Sequence, residues 1–390
     1  MNKYFIIIIL TVGAIAPTVF SQSEYLMFAS YFDETKTRAF DMDTSGNLSL
    51  KEELTVGKDS LCVSTAPNGR VVIVSTSFDP EISVFFIDNN HKINNPLYLS
   101  NIDYNSYVPV AFMKLYSFAF VGFHPFCRTY DIDYRNKSIK FTDNNTDLES
   151  GVAYNIWYSE YANGLVFKKP IYDKYNKKLH GVRYLEVKND GTFTTNSKWL
   201  EITGGYNQDF CVSPDGKWSV VIGNDDPEMS VVGINRDGSL YLVEQWDFPG
   251  CDACNPEKVR YTPDGKHLIM LNGGYHFIIS FSVNQETGKL AQVDYLEGPV
   301  PVPTGMIHNF TITPDSKYLV TACLYPSGGS GEQTLDVMRL HEDGRIEWLT
   351  DKRFTINGYP SDMEFVPPWQ ETPFPQNGFM LYGQQEIPQQ

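Results

Sequence analysis

The sequence is short of positive charge. Its 390 residues carry 31 Lys and Arg against 47 Asp and Glu, a formal net charge of −16. That balance excludes nucleic acid, whose phosphates need clustered cations, and docking on an anionic membrane surface. Long apolar runs are equally scarce. The run Phe5 to Ala16, in "MNKYFIIIILTVGAIAPTVFSQS", has 12 residues, too few to span a bilayer. Lys3 precedes it, and Val19 and Ser21 offer small residues at −3 and −1 of a cleavage site. Residues 1–21 therefore read as a signal peptide, with a membrane anchor as the alternative. A secreted or extracytoplasmic chain, without membrane insertion and monomeric, is expected.

Helical 3.6-residue periodicity is nearly absent. So are a P-loop, a dinucleotide fingerprint and a serine nucleophile elbow, and no organic cofactor is expected. Cysteine is sparse: Cys62, Cys127, Cys211, Cys251, Cys254 and Cys323. Export would favour structural disulfides among them. "CDAC" at Cys251 to Cys254 lacks both a thioredoxin-like βαβ context and the second pair a zinc site needs. Cys127 and Cys323, in apolar strand-like surroundings, are expected to stay as buried thiols. Sequons at Asn47, Asn136, Asn144 and Asn309 would make a eukaryotic source yield a glycoprotein.

What the chain does have is repetition. "CVSPDGKWSVVIGN", "RYTPDGKHLIMLNG" and "FTITPDSKYLVTACL" place turn prolines at Pro214, Pro263 and Pro314, spaced 49 and 51 residues. Pro67 in "APNGRVVIVS" and Pro367 in "MEFVPPW" extend the series, with degenerate copies expected near 116 and 165. A second register of hairpin signals agrees: "TSGN", "NNHK", "YRNK", "NDGT", "RDGS", "ETGK" and "EDGR". Short Val-, Ile-, Tyr- and Phe-rich segments separate these turns. Four strands per unit of about 45–50 residues match a propeller blade of the WD40/YVTN-like kind.

The expected fold is an all-β, seven-bladed β-propeller with four-stranded blades. "DMEFVP" lacks the three outer strands of its blade, and "YLMFAS", "RAFDMD" and "LSLKEEL" lack an inner one. The two ends should complete one blade and so close the ring. The propeller would occupy residues 22–370, followed by a Pro/Gln-rich tail at 371–390. A competing motif lies in "DMDTSGNLSLKE", where Asp41, Asp43, Ser45 and Glu52 fit calcium-loop positions 1, 3, 5 and 12. The missing second loop and the flanking strand pattern argue against it.

"LMFASYFDETKTRAFDMDTSGNLSLKEE", followed by repeated "PDGK-x-L" and "TGKL", resembles the seven-bladed lactonase-type propellers. That group includes 6-phosphogluconolactonase-like proteins and carboxy-muconate cyclases. The resemblance implies a site in the central funnel, fed by the inner strands. Counted back from each turn proline, positions −4 and −2 are apolar. Positions −5 and −3 hold Asp209 and Cys211, Lys258 and Arg260, Asn309 and Thr311, Asp362 and Glu364. Position −6 holds Gln208, Glu257, His308 and Ser361. The resemblance points to His308 and Glu364 as proton carriers. Arg260 and Lys258, with Asp209 and Asp362, would bind a small carboxylated lactone or diene. The Gly-Pro-Arg-His run of sugar lactonases is replaced by "NPEKVRYTPD". Two readings stay open: a secreted lactonase or cyclase-like enzyme, and a non-catalytic propeller binding an extracellular protein or glycan on its top face. In the second, Asp209 and Asp362 would link blades and Arg260 would pair with Glu364.

Overall fold

The computed structural model describes residues 25–32, 34–79, 81–100, 110–113, 117–121, 126–147, 155–172, 178–188, 193–194, 199–202, 207–223, 227–248, 256–272, 277–297, 306–325, 332–358 and 360–371. All regular structure among them is β-strand. The proposed signal peptide, "CDAC" and the tail beyond residue 371 lie outside the described residues.

The chain opens with β1 (Tyr25–Tyr31), β2 (Lys36–Met42) and β3 (Leu48–Thr55). One sheet follows from β4 (Ser60–Thr65), β5 (Val71–Thr76), β6 (Ile82–Phe86) and β7 (Leu97–Leu99). The next uses β8 (Val110–Met113), β9 (Ser117–Val121), β10 (Phe126–Asp133) and β11 (Ser138–Asp147). A third contains β12 (Asn155–Ser159), β13 (Gly164–Tyr172), β14 (Lys178–Val187), β15 (Phe193–Thr194) and β16 (Leu200–Ile202). Three regular sheets come next. They are β17 (Asn207–Val212) to β20 (Leu240–Trp246) through β18 (Trp218–Gly223) and β19 (Met229–Ile234); β21 (Pro256–Tyr261) to β24 (Leu290–Glu297) through β22 (His267–Asn272) and β23 (Phe277–Val283); and β25 (Met306–Ile312) to β28 (Ile346–Ile356) through β26 (Tyr318–Tyr325) and β27 (Glu332–Leu340). The final strand, β29 (Pro360–Phe365), pairs antiparallel with β1, giving the order β29-β1-β2-β3.

This is an all-β propeller, and it corrects the expectation of uniform four-stranded blades. Six sheets have four strands, and the one starting at β12 has five because β15 and β16 both pair with β14. That outer position is divided between two short segments, so the repeat is least regular where the turn motifs are weakest. First strands touch in the order β29, β4, β8, β12, β17, β21, β25 and again β29.

Alternation along each strand sends side chains to the two faces of its sheet. Both faces are covered, so the core is divided into slabs between neighbouring sheets. Phe210 and Val212 pack with Val166, Val182 and Tyr184 of the preceding sheet. Val259 and Tyr261 pack with Val220 and Val231, Phe310 and Ile312 with Ile269 and Leu271, and Met363 and Phe365 with Val320 and Val337. Positions −4 and −2 are thus core in each case.

The chain end is fastened to the next sheet. Val366 N–H donates to the Leu26 carbonyl at 2.8 Å and Gln370 N–H to that of Asn68 at 2.9 Å. The Arg70 guanidinium lies 4.8 Å from the Tyr134 ring centre and 5.1 Å from that of Trp369. Gly69 sits at φ +67°, and a Cβ there would lie 2.1 Å from the Pro367 carbonyl oxygen. Gly265, at φ +72°, would meet only the Gln285 side chain, at 3.3 Å, as its nearest neighbour. Gly265→Ala should therefore cost roughly 1–2 kcal/mol, from the left-handed backbone alone. Gly69→Ala is expected to cost at least twice as much, measured by denaturant unfolding. Equal losses would show that the approach of Pro367 to Gly69 adds nothing.

Candidate functional site

The first strands of five sheets share one irregularity. Register skips a residue at Leu61, Gln208, Glu257, His308 and Ser361. Each lies six residues before its turn proline. A bulge opposes two residues to one and breaks the two-residue alternation. The −6 residue is thereby released from the apolar face that simple alternation would assign it. Glu257 and Ser361 are half-buried. The described residues do not include the side chains of His308 and Gln208.

Position −5, just after each bulge, joins neighbouring sheets. Asp209 Oδ2 accepts the Val259 N–H at 3.1 Å and is paired with Arg260 Nη1. Lys258 Nζ donates to Asn309 Oδ1 at 2.6 Å and to Asp362 Oδ1 at 2.8 Å. Asn309 Nδ2 donates to the Ser361 carbonyl at 2.8 Å. Asp362 Oδ2 accepts the Val63 N–H at 2.9 Å. Arg260 also stacks 5.2 Å from the Trp157 ring centre, two sheets back along the chain. Four consecutive sheets, and the one beginning at β4, are tied by one polar network.

Burial separates the carboxyl groups in this network. Burial would raise Asp362, but the charges of Lys258 and Arg260 and the Lys258 hydrogen bond hold it below the usual carboxylate range. Glu364 is pushed up to about 8, by burial first and then by the Asp362 charge, against the pull of Arg260 and Lys258. Burial alone lifts Glu257 to about 7. Glu364 is thus raised beside the ion pairs of Lys258 and Arg260, and Glu257 is raised by burial. The Arg260 side chain keeps 23% of its surface exposed and that of Asp362 16%. Solvent therefore reaches this innermost layer.

Solved structures place this architecture. A candidate 6-phosphogluconolactonase from Bacteroides uniformis superposes with a TM-score of 0.66 at 16% identity, covering 88% of this chain and 100% of its own. The periplasmic gluconolactonase PpgL of Pseudomonas aeruginosa gives 0.62 at 14%, covering 88% and 99%. A candidate 6-phosphogluconolactonase from Bacteroides fragilis gives 0.63 at 16%, covering 88% and 98%. The chain has the lactonase-type propeller fold. No protein-family model and no curated protein matches its sequence.

Within this lactonase-type fold, the residues singled out from sequence separate into two groups. Asp209, Lys258, Arg260 and Asp362 come together, but as links between sheets. Arg260 pairs with Asp209 rather than with Glu364. The expected grip on a substrate carboxylate finds both cations already engaged. Glu364 stands in the same layer, and His308 occupies the bulge of β25. Glu257, overlooked as a proton carrier in sequence, is marked only by the register skip, which strand patterning does not reveal.

Two other expectations change, on the disulfides and on one sequon. Cys62 and Cys211 carry thiols instead of disulfides, and Cys323 is a buried thiol as expected. Cys62 and Cys211 belong to different sheets, and burial pushes both thiols up to about 12. Asn309 is buried in the network, so its sequon is closed to glycosylation. The calcium-like segment is the β2–β3 hairpin. Asp43 accepts the backbone N–H groups of Ser45 and Asn47, Asp41 binds Lys51, and Ser45 and Glu52 are exposed. Among the described residues no group of three His, Cys, Asp or Glu could hold a metal ion.

Glu364 has a folded-state pKa above its ordinary 4.5. Its contribution to stability is full below about pH 4.5 and declines as pH rises through about 8. Thermal unfolding across that window should show Glu364→Gln gaining on the parent protein as pH rises. Parallel curves would mean that the carboxyl is ionised throughout.

Proposed function

We propose that the chain is a lactonase-like hydrolase whose reaction centre is the solvent-reached layer formed by β21, β25 and β29. The observation that carries this reading is a pair of half-buried carboxyl groups, Glu257 and Glu364, both titrating near neutrality on a lactonase-type propeller. Opening a lactone needs a base for the attacking water and an acid for the departing ring oxygen. Glu257, when ionised, takes a proton from water as its oxygen bonds to the lactone carbonyl carbon. Glu364, when protonated, gives its proton to the ring oxygen as the acyl C–O bond breaks. The product is an open-chain hydroxy acid, and the proton taken up by Glu257 passes by way of solvent to Glu364, the weaker acid of the two, to reset the site. Environments that drive two carboxyls to different pKa values assign them different tasks. In this proposal His308, whose backbone forms the neighbouring bulge, is assigned the exchange of protons with solvent. Asp209, Lys258, Arg260 and Asp362 hold the layer in position.

An extracytoplasmic location belongs to this proposal, supported by the signal-like N-terminus and by a periplasmic protein among the structural neighbours. Hydrolysis of a small lactone should show a bell-shaped dependence on pH with limbs near 7 and 8. Glu257→Gln is expected to remove the acidic limb and Glu364→Gln the basic one. Each should lower turnover roughly 10²–10⁴-fold with the fold retained. Absence of turnover across a lactone panel by a folded protein would instead favour the binding-module reading.

A further inference from the structure

Among the described residues, the first strands carry few ionisable side chains other than tyrosine and cysteine. From the strand bounds and the sequence there are two cations, Lys258 and Arg260, and four carboxyl groups, Asp209, Glu257, Asp362 and Glu364, with His308 beside them. β4, β8 and β12 contribute none of these charges. Both cations are engaged by carboxylates from neighbouring sheets: Arg260 by Asp209, and Lys258 by Asp362 and Asn309. This inventory comes from sequence and topology, and the pairing from geometry.

Among the described residues, a bound anion would have to lose its water without gaining an uncommitted lysine or arginine. An unpaired buried charge is strongly disfavoured. Breaking Arg260 away from Asp209 would not help, because it would leave that carboxylate unpaired beside the Val259 N–H it accepts. By contrast, the half-buried carboxyl groups of the layer, Glu257 and Glu364, suit hydroxyl groups as hydrogen-bond partners. We propose that this site takes an uncharged, hydroxyl-rich lactone and rejects its phosphorylated or carboxylated counterparts. The inference rests on the lactonase-like reading and replaces the carboxylated substrate expected from the family resemblance. The charge balance of the active form reinforces it: with Glu257 ionised and Glu364 protonated, the two cations Lys258 and Arg260 are outnumbered by the three carboxylates Asp209, Asp362 and Glu257.

The test compares D-glucono-1,5-lactone, its 6-phosphate and a lactone bearing a free carboxylate in hydrolysis assays on the full chain. Calorimetric binding of the corresponding lactams runs in parallel. The neutral compound should lead by at least tenfold in kcat/KM and in affinity. Asp209→Asn keeps an acceptor for Val259 N–H but leaves Arg260 without its counter-charge. It should cut the neutral-over-anionic ratio at least tenfold. Asp362→Asn does the same for Lys258 and serves if the first variant fails to fold. A preference for either anionic lactone, or for an amine-bearing one, overturns the charge assignment while leaving hydrolysis intact. Lactam binding with neutral preference but no hydrolysis overturns the lactonase reading alone. No binding by any lactam overturns both.

Discussion

Everything in this structure depends on contact between neighbouring sheets. A sheet apolar on both faces cannot bury either face by itself, so each relies on the sheet before it and the sheet after it. The slabs between them are apolar, and the burial of Phe210, Phe310, Phe28 and Phe167 supplies adhesion without fixing alignment. Alignment comes from the residues at position −5. Asp209 and Asp362 each accept a backbone N–H from the next first strand, at equivalent places in two sheets. Lys258 and Asn309 continue the chain of contacts between them.

That constraint decides what chemistry the centre can host. The charges that look most like a binding site in the sequence are consumed in holding the sheets together. What remains for chemistry is left by the network: carboxyl groups close to the ion pairs but not neutralised by them. Glu364 is the clearest case, since the repulsion of Asp362 and burial together outweigh the attraction of Arg260 and Lys258. The linking network and the raised Glu364 carboxyl thus share one cause, the packing of the first strands against one another. The closing sheet belongs to the same logic, because Asp362 and Glu364 both lie on β29, the strand from the chain's far end.

The repeated bulge is the second feature with functional weight. By placing an extra residue at position −6, it offers a position outside the two-residue alternation, core at Leu61 and linking at Ser361. Leu61, Gln208, Glu257, His308 and Ser361 differ in chemistry while sharing a backbone context.

The repeat of turn prolines and Asx-Gly hairpins determined the β-propeller and the pairing of the chain ends, because turn chemistry and two-residue alternation are local properties. The apolar positions −4 and −2 were legible for the same reason. The fifth strand in the sheet beginning at β12 was not, since splitting an outer strand leaves no local mark. Nor were the partners of Arg260 and Lys258. They lie 51 and 104 residues away in sequence, in Asp209 and Asp362. Which carboxylate meets which cation follows from how far each sheet is rotated against the next. The protonation of Glu257 and Glu364 was also decided there, because it depends on burial and on charges brought close only when the sheets assemble. Sequence fixes what a strand can contribute, and tertiary packing decides which contribution stays available for chemistry.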